Sequence, residues 1–257
     1  MDSNRSYKKN QIAPLRLSTR GRMRYNFYIN DNSKNEMYDY KSNAVNQSKY
    51  NIITFLPKSL LFQFFRLANI YFLIVAIIQM IPIVSPLSPM TAVAPLVFVL
   101  LVSMFREGVE DFERHKYDNQ LNNEKVIVYR DNEWVNSYSG KLLMGELVVI
   151  KKDDTFPADL VILDSSLNDG ICFIETSSLD GEKTLKNKLA SKFTSKKFNC
   201  DEIAGHWKQN FTVSGVCNCD GPNPDLYKFD GNLDVIIENE EIKCPIDNKN
   251  LLLKGNY

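Results

Sequence analysis

The stretch Glu175-Thr-Ser-Ser-Leu-Asp-Gly-Glu-Lys-Thr-Leu-Lys186 gathers residue types able to do chemistry. A short apolar run, Ile171 to Ile174, leads into it and reads as a strand, with Asp180-Gly181 as the turn after it. Gly181 takes a positive φ at little cost, so the turn can be sharp. Glu182 then stands at an exposed tip on a rigid support, where its carboxylate can serve chemistry on another domain. Asp-Gly-Glu alone is a short motif, and an ordinary polar loop is the competing reading. The rest of the chain has to decide between them.

The 257 residues carry a formal net charge of zero, enough chain for one or two domains and no nucleic-acid footprint. Basic residues crowd the first fifty positions (Arg16, Arg20, Arg22 and Arg24 among them), and acids gather later. The five cysteines, Cys172, Cys200, Cys217, Cys219 and Cys244, have no regular spacing and form no pair of Cys-x-x-Cys sites. Cys217 and Cys219 read as two free thiols in a reducing compartment, and no metal site is expected. His115 has no second histidine nearby, and His206 and Trp207 read as loop and core residues. The polar N-terminus lacks the apolar region of a secretory signal.

Two apolar runs must hold the middle of the chain. Residues 58–81 are apolar apart from Lys58 and Arg66 near their start, and as a helix they would span about 36 Å. The proline-rich, uncharged stretch 82–89 reads as an outer turn, and residues 90–108 as a second span. The competing reading is a buried core hairpin of a soluble protein. Lys58 and Arg66 on one flank and Arg106, Arg114 and Lys116 on the other place both ends in the cytosol by the positive-inside rule. Gln79 is the polar residue deepest in the first span. It reads either as a functional side chain or as a residue at the outer headgroup level.

Residues 109–123 continue as a solvated stalk helix, with Glu110 and Arg114 spaced i, i+4, as are Arg114 and Asp118. Residues 1–24 read as a disordered basic tail and 25–57 as a cytosolic lead-in that packs partly on the downstream domain. From Glu124 the period becomes two. A hairpin over 124–138, strands near 146–151, 157–163, 171–176, 233–237 and 251–253, and polar turns suggest a small antiparallel domain of barrel or jelly-roll type over 124–257. Residues 190–218 are ambiguous.

In this order the chain resembles the N-terminal part of a type IV P-type ATPase, a phospholipid flippase. The resemblance rests on Lys49-Tyr-Asn-Ile-Ile-Thr-Phe-Leu-Pro-Lys58, Gln63-Phe-Phe-Arg-Leu-Ala-Asn-Ile-Tyr-Phe-Leu73, Gln79-Met-Ile-Pro-Ile-Val-Ser-Pro86, Val109 to Asn119, Pro157-Ala-Asp159, and Cys219-Asp-Gly-Pro-Asn223 with Leu226 to Asn232. The fold it implies is a membrane α-helical hairpin plus a mainly-β cytosolic actuator domain, a distorted jelly roll. It implies that Glu182 orients the water that hydrolyses an aspartyl phosphate held by another domain, with Asp180 and Gly181 shaping the loop. It implies that Gln79 helps select the headgroup where lipid enters.

The implied partners are a phospholipid, the membrane, the remaining phosphorylation and nucleotide domains, and a glycosylated two-span accessory subunit, with no nucleic acid. ATP and Mg2+ are implied for the full-length protein and none for this chain, which has no Asp-Lys-Thr-Gly motif and is expected to be inactive alone. Two residues depart from the family pattern. Lys183 follows Glu182 where Thr is usual and is expected to pair with Glu182, weaken it as a base or contact the phosphate. Met80 stands where many members have a second Gln. A non-catalytic two-span protein that binds or regulates a full flippase is the alternative.

Overall fold

The computed structural model describes residues 16–17, 23–81, 88–195, 197–198, 212–221, 223, 225 and 227–257. The chain divides into two units, Met1–Ala44 with Asn122–Tyr257, and Val45–Leu121.

The first unit begins with β1 (Arg16–Leu17) and β2 (Met23–Ile29), which pair antiparallel. Part of the expected disordered tail is therefore strand. Met23 and Arg24 pair with β1, and Tyr25, Phe27 and Ile29 of the adjoining lead-in alternate along β2 and pack on the main core, which anchors the strand. The rest of residues 1–24, like 82–87 of the expected outer turn, lies outside the described residues. A short helix, α1 (Asn32–Asn35), comes next, capped by the Asp31 side chain.

The second unit is helical. Ile52–Phe64 is α2 and Leu67–Gln79 is α3. The single helix expected over 58–81 is corrected here, because the pair bends by 87°. Arg66, the cap of α3, has extended backbone (φ −78°, ψ 122°), and Asn69 Nδ2 donates to the Gln63 carbonyl at 2.8 Å. The side-chain amide thus serves a carbonyl at the helix end. No glycine or proline at 65–66 announces the break.

The third helix, α4 (Met90–Asn122), is continuous through the expected span and stalk. Its 33 residues run roughly 50 Å, longer than a hydrocarbon core of about 30 Å. It is long and apolar enough to cross a membrane, and α2 with α3 passes the same test if the bent pair is one span. Only 17% of the apolar window of α4 is buried, which opposes the core-hairpin reading. Arg106 and Arg114 both pair with Glu110, whereas Asp118 accepts from the Gln47 and Ser48 amides and Asp111 from that of Lys49. These two buried carboxylates tie the lead-in to the helix.

The rest of the first unit is β-rich. Lys125–Arg130 (β3) and Glu133–Tyr138 (β4) form a hairpin, and Leu147–Val149 (β5) joins β3 on its other side. Asp131 and Asn132 both have positive φ, the I′ geometry that Asx residues tolerate. Leu160–Val161 (β6), Ile171–Ile174 (β7), the helical turn Ser177–Asp180 (α5) and Lys186–Leu189 (β8) come next. Val213–Asp220 (β9), Asp230–Ile237 (β10), Glu240–Asp247 (β11) and Leu251–Leu252 (β12) complete the unit. The largest sheet has the order β1-β2-β9-β10-β11, and smaller sheets pair β4-β3-β5, β12-β6 and β7-β8. The main core gathers under the five-stranded sheet around Tyr129 and Val235, both fully buried, with Cys217 and Cys244 beside them.

Candidate functional site

A second core holds the candidate site in place. Ile174, at the end of β7, is 1% exposed and packs with Phe156, Ile162, Ala190 and Leu252. β7 pairs antiparallel with β8, so that Ile174 faces Lys186 and Ile171 faces Leu189. Residues 175–185 therefore bridge the two arms of one hairpin. The segment 255–257 braces its base: the Glu175 amide donates to the Tyr257 carbonyl at 2.5 Å, and Ser178 Oγ donates to the Gly255 carbonyl at 2.8 Å.

Between the arms the chain makes one helical turn, α5, ended by Gly181 in the left-handed region (φ 75°, ψ 2°). A Cβ built on Gly181 meets nothing within 4 Å, so glycine is needed here for its backbone and not for space. The Asp180 side chain caps the reversal. Its Oδ1 accepts from the Glu182 amide at 3.0 Å and from Thr176 Oγ1 at 2.9 Å. Its Oδ2 accepts from Lys186 Nζ at 2.5 Å and from the Tyr227 hydroxyl at 3.4 Å.

Glu182 stands beyond the turn with its side chain 52% exposed. Its Oε2 lies 2.9 Å from Lys186 Nζ, and its Oε1 accepts from Thr184 Oγ1 at 3.2 Å. Lys186 thus bridges the two carboxylates, and its Nζ lies 6.0 Å from the centre of the Tyr227 ring. The Lys186 ammonium holds Asp180 well below the usual carboxylate range, helped by the Glu182 amide, and likewise lowers Glu182. The two carboxylates in turn raise Lys186. At neutral pH the site is one cation between two anions, on a surface open to a partner. The arrangement can hold and orient a water molecule against an incoming electrophile.

Asp180, Gly181 and Glu182 come together as one constellation. Gln79 lies in the other unit, at the end of α3, where its Oε1 accepts from Thr91 Oγ1 of α4 at 3.3 Å. Met80 beside it is 66% exposed. Lys183 has no hydrogen bond or ion pair among the described residues, so the expected pairing with Glu182 is replaced by Lys186 and Thr184. Sequence reasoning missed Thr176, Thr184, Lys186 and Tyr227 as members of the site. No local pattern marks them, because Lys186 reaches the loop through the register Ile174↔Lys186 and Tyr227 comes from a distant segment. Among the described residues no three His, Cys, Asp or Glu side chains converge as a metal ion would require.

Two family profiles match the chain, the phospholipid-translocating ATPase N-terminal region over residues 27–93 and the P-type ATPase actuator domain over residues 120–239. Among similar proteins, human phospholipid-transporting ATPase IH is 41% identical over 217 residues, 84% of this chain and 18% of the relative. Arabidopsis thaliana phospholipid-transporting ATPase 6 is 41% identical over 218 residues, 84% of this chain and 17% of the relative. Mouse phospholipid-transporting ATPase ID is 38% identical over 231 residues, 88% of this chain and 18% of the relative. The chain spans less than a fifth of the length of these relatives.

Proposed function

Because the chain belongs to the phospholipid-transporting P-type ATPases, we propose that it supplies the first helical hairpin and the actuator domain of a lipid flippase, moving phospholipid from the outer to the cytosolic leaflet. The actuator, read as a distorted jelly roll, brings the hairpin that carries Asp180, Gly181 and Glu182 onto an aspartyl phosphate of a separate domain. Water oxygen attacks phosphorus, the bond from phosphorus to the acyl oxygen breaks, and the aspartate carboxylate leaves. The water proton passes to a Glu182 oxygen. An acyl phosphate is already reactive, so the demand on the protein is mainly the position of the water. A Glu182 held below the usual carboxylate range by Lys186 can meet that demand although it is a modest base.

ATP and Mg2+ belong in this reading to the domains that carry the phosphorylated Asp. Asp180 and Glu182 do not fit a Mg2+ site, because Lys186 already takes both carboxylates. Gln79, beside Thr91 at the outer end of the helices, is the proposed contact for an arriving headgroup. The observation that carries the proposal is the exposed Glu182 carboxylate held on a braced hairpin. Lys183, which would favour a non-catalytic regulator if it neutralised Glu182, leaves that carboxylate alone.

Membrane topology has its own support. β2 precedes the helices and β9 comes after them, and the two pair directly from Arg24↔Asp220 to Ile29↔Gly215. Strands of one sheet lie on one side of a bilayer, so the intervening segment crosses an even number of times. Two crossings, α2–α3 and α4, satisfy that count with both flanks cytosolic.

The test replaces the matching region of a full-length phospholipid-transporting ATPase with residues 23–257 of this chain. Glu182→Gln should then slow phosphoenzyme decay about 10²-fold or more while leaving its formation intact. Unchanged decay would remove Glu182 from the mechanism.

A further inference from the structure

We propose that Lys186 is the positioning residue of this site: by bridging Asp180 and Glu182 it fixes where the Glu182 carboxylate points. The proposal rests on the reading above that Glu182 orients water. Its basis is a difference in how firmly the parts are held. Lys186 opens β8, opposite Ile174, which is locked in the second core. Asp180 is held by Thr176 and Tyr227 as well as by Lys186. Glu182 has no such support. It lies past a left-handed residue, half in solvent, and Lys186 Nζ and Thr184 Oγ1 are its side-chain anchors among the described residues.

Charge makes the cation necessary as well as convenient. Asp180 and Glu182 bind the same nitrogen at 2.5 and 2.9 Å, so without it two carboxylates would face each other. Like charges at that range disfavour joint ionisation and would swing the freer one, Glu182, into solvent. Arginine can present two donors to two carboxylates and should substitute, whereas methionine keeps the length and loses the charge. An arriving phosphoryl group offers Lys186 a third anion, so the same cation would sense docking of the hairpin on its target.

The test reads the Glu182 carboxyl titration by NMR in the detergent-solubilised native chain, Lys186→Met and Lys186→Arg. Glu182 sits below its ordinary range because of the cation, so losing the cation moves its titration upward, back toward the ordinary carboxylate range. Arginine should restore the native value, with β7–β8 amide pairing intact in both variants. The native chain gives a reading that needs no variant: the Lys186 ammonium nitrogen should step at the Glu182 titration.

In the full-length graft, the acid limb of phosphoenzyme decay should move to higher pH in Lys186→Met and return in Lys186→Arg. An unmoved Glu182 titration, an ammonium signal blind to it, or equal losses in both variants without a pH shift would overturn the proposal. If Glu182→Gln slows decay and Lys186→Met does not, the proposal fails while the role of Glu182 stands. If Glu182→Gln leaves decay unchanged, the underlying reading fails.

Discussion

Replacing Gly181 tests whether the backbone of the turn governs the placement of Glu182. Gly181 has φ 75° and ψ 2°, and the side-chain carbon of an alanine at this position would meet no atom within 4 Å. The penalty of Gly181→Ala is therefore the left-handed penalty alone, about 1–2 kcal/mol for an L-residue. At about 1.4 kcal/mol per factor of ten, that corresponds to a roughly 5- to 30-fold loss in the population of the turn. Asparagine enters this region more easily, so Gly181→Asn should lose severalfold less than alanine. The population is read from the amide shift of Glu182 and from its carboxyl titration, which rises toward the ordinary range as contact with Lys186 is lost. Core amides around Ile174 should stay protected. If alanine leaves both signals native, the turn is not strained. If asparagine is as harmful as alanine, space and not φ sets the requirement, and the reasoning fails.

Two further outcomes rest on the same kind of geometry. Arg130 forms a double contact with Glu146, at 2.6 and 3.0 Å, and the Glu146 side chain is 2% exposed. Arg130→Met strands a buried carboxylate that keeps its contacts with Asn32 and the Leu143 amide, and should cost about 2–3 kcal/mol, less than a fully orphaned buried charge. Hydrogen exchange of the β3–β5 amides measures it, and a loss below about 0.5 kcal/mol would count against a structural role for the pair. Lys183→Thr should leave Glu182 titration in this chain, and phosphoenzyme decay in the full-length graft, within about twofold of the Lys183 form, because Lys183 has no partner to lose among the described residues; a tenfold change in decay, about 1.4 kcal/mol, would show that this lysine meets the phosphate.

Local signals carried well where one short stretch contained the whole cause. The hairpin of β3 and β4 is written in Asp131-Asn132 between alternating runs, and β7 in four apolar residues before a polar loop. β11 was missed because charged residues and Pro245 interrupt its pattern; as the edge strand of its sheet it has an unpaired side where a proline is tolerated. The bend at Phe65–Arg66 was missed because its support, Asn69 on the Gln63 carbonyl, uses no helix breaker. In the candidate site the turn at Gly181 and the exposed position of Glu182 were legible. Lys186 was visible as a residue but not as a bridge, because its reach depends on the register Ile174↔Lys186 and on the loop between. Tyr227 comes from 45 positions beyond Glu182, and no local pattern joins them.

The pairing of β2 with β9 also sets an order of events during synthesis. β2 spans residues 23–29, and its sheet partner β9 spans 213–220. Everything between, including both apolar segments, emerges first, and at cellular synthesis rates of 5–20 residues per second the wait is roughly 10–40 s. During that time Tyr25, Phe27 and Ile29 lack the core they pack on, and β2 has a bare edge. If the segment between β2 and β9 spans a membrane as proposed, its even number of crossings leaves the two strands on one side, and a fault in insertion would show first as a sheet missing one strand.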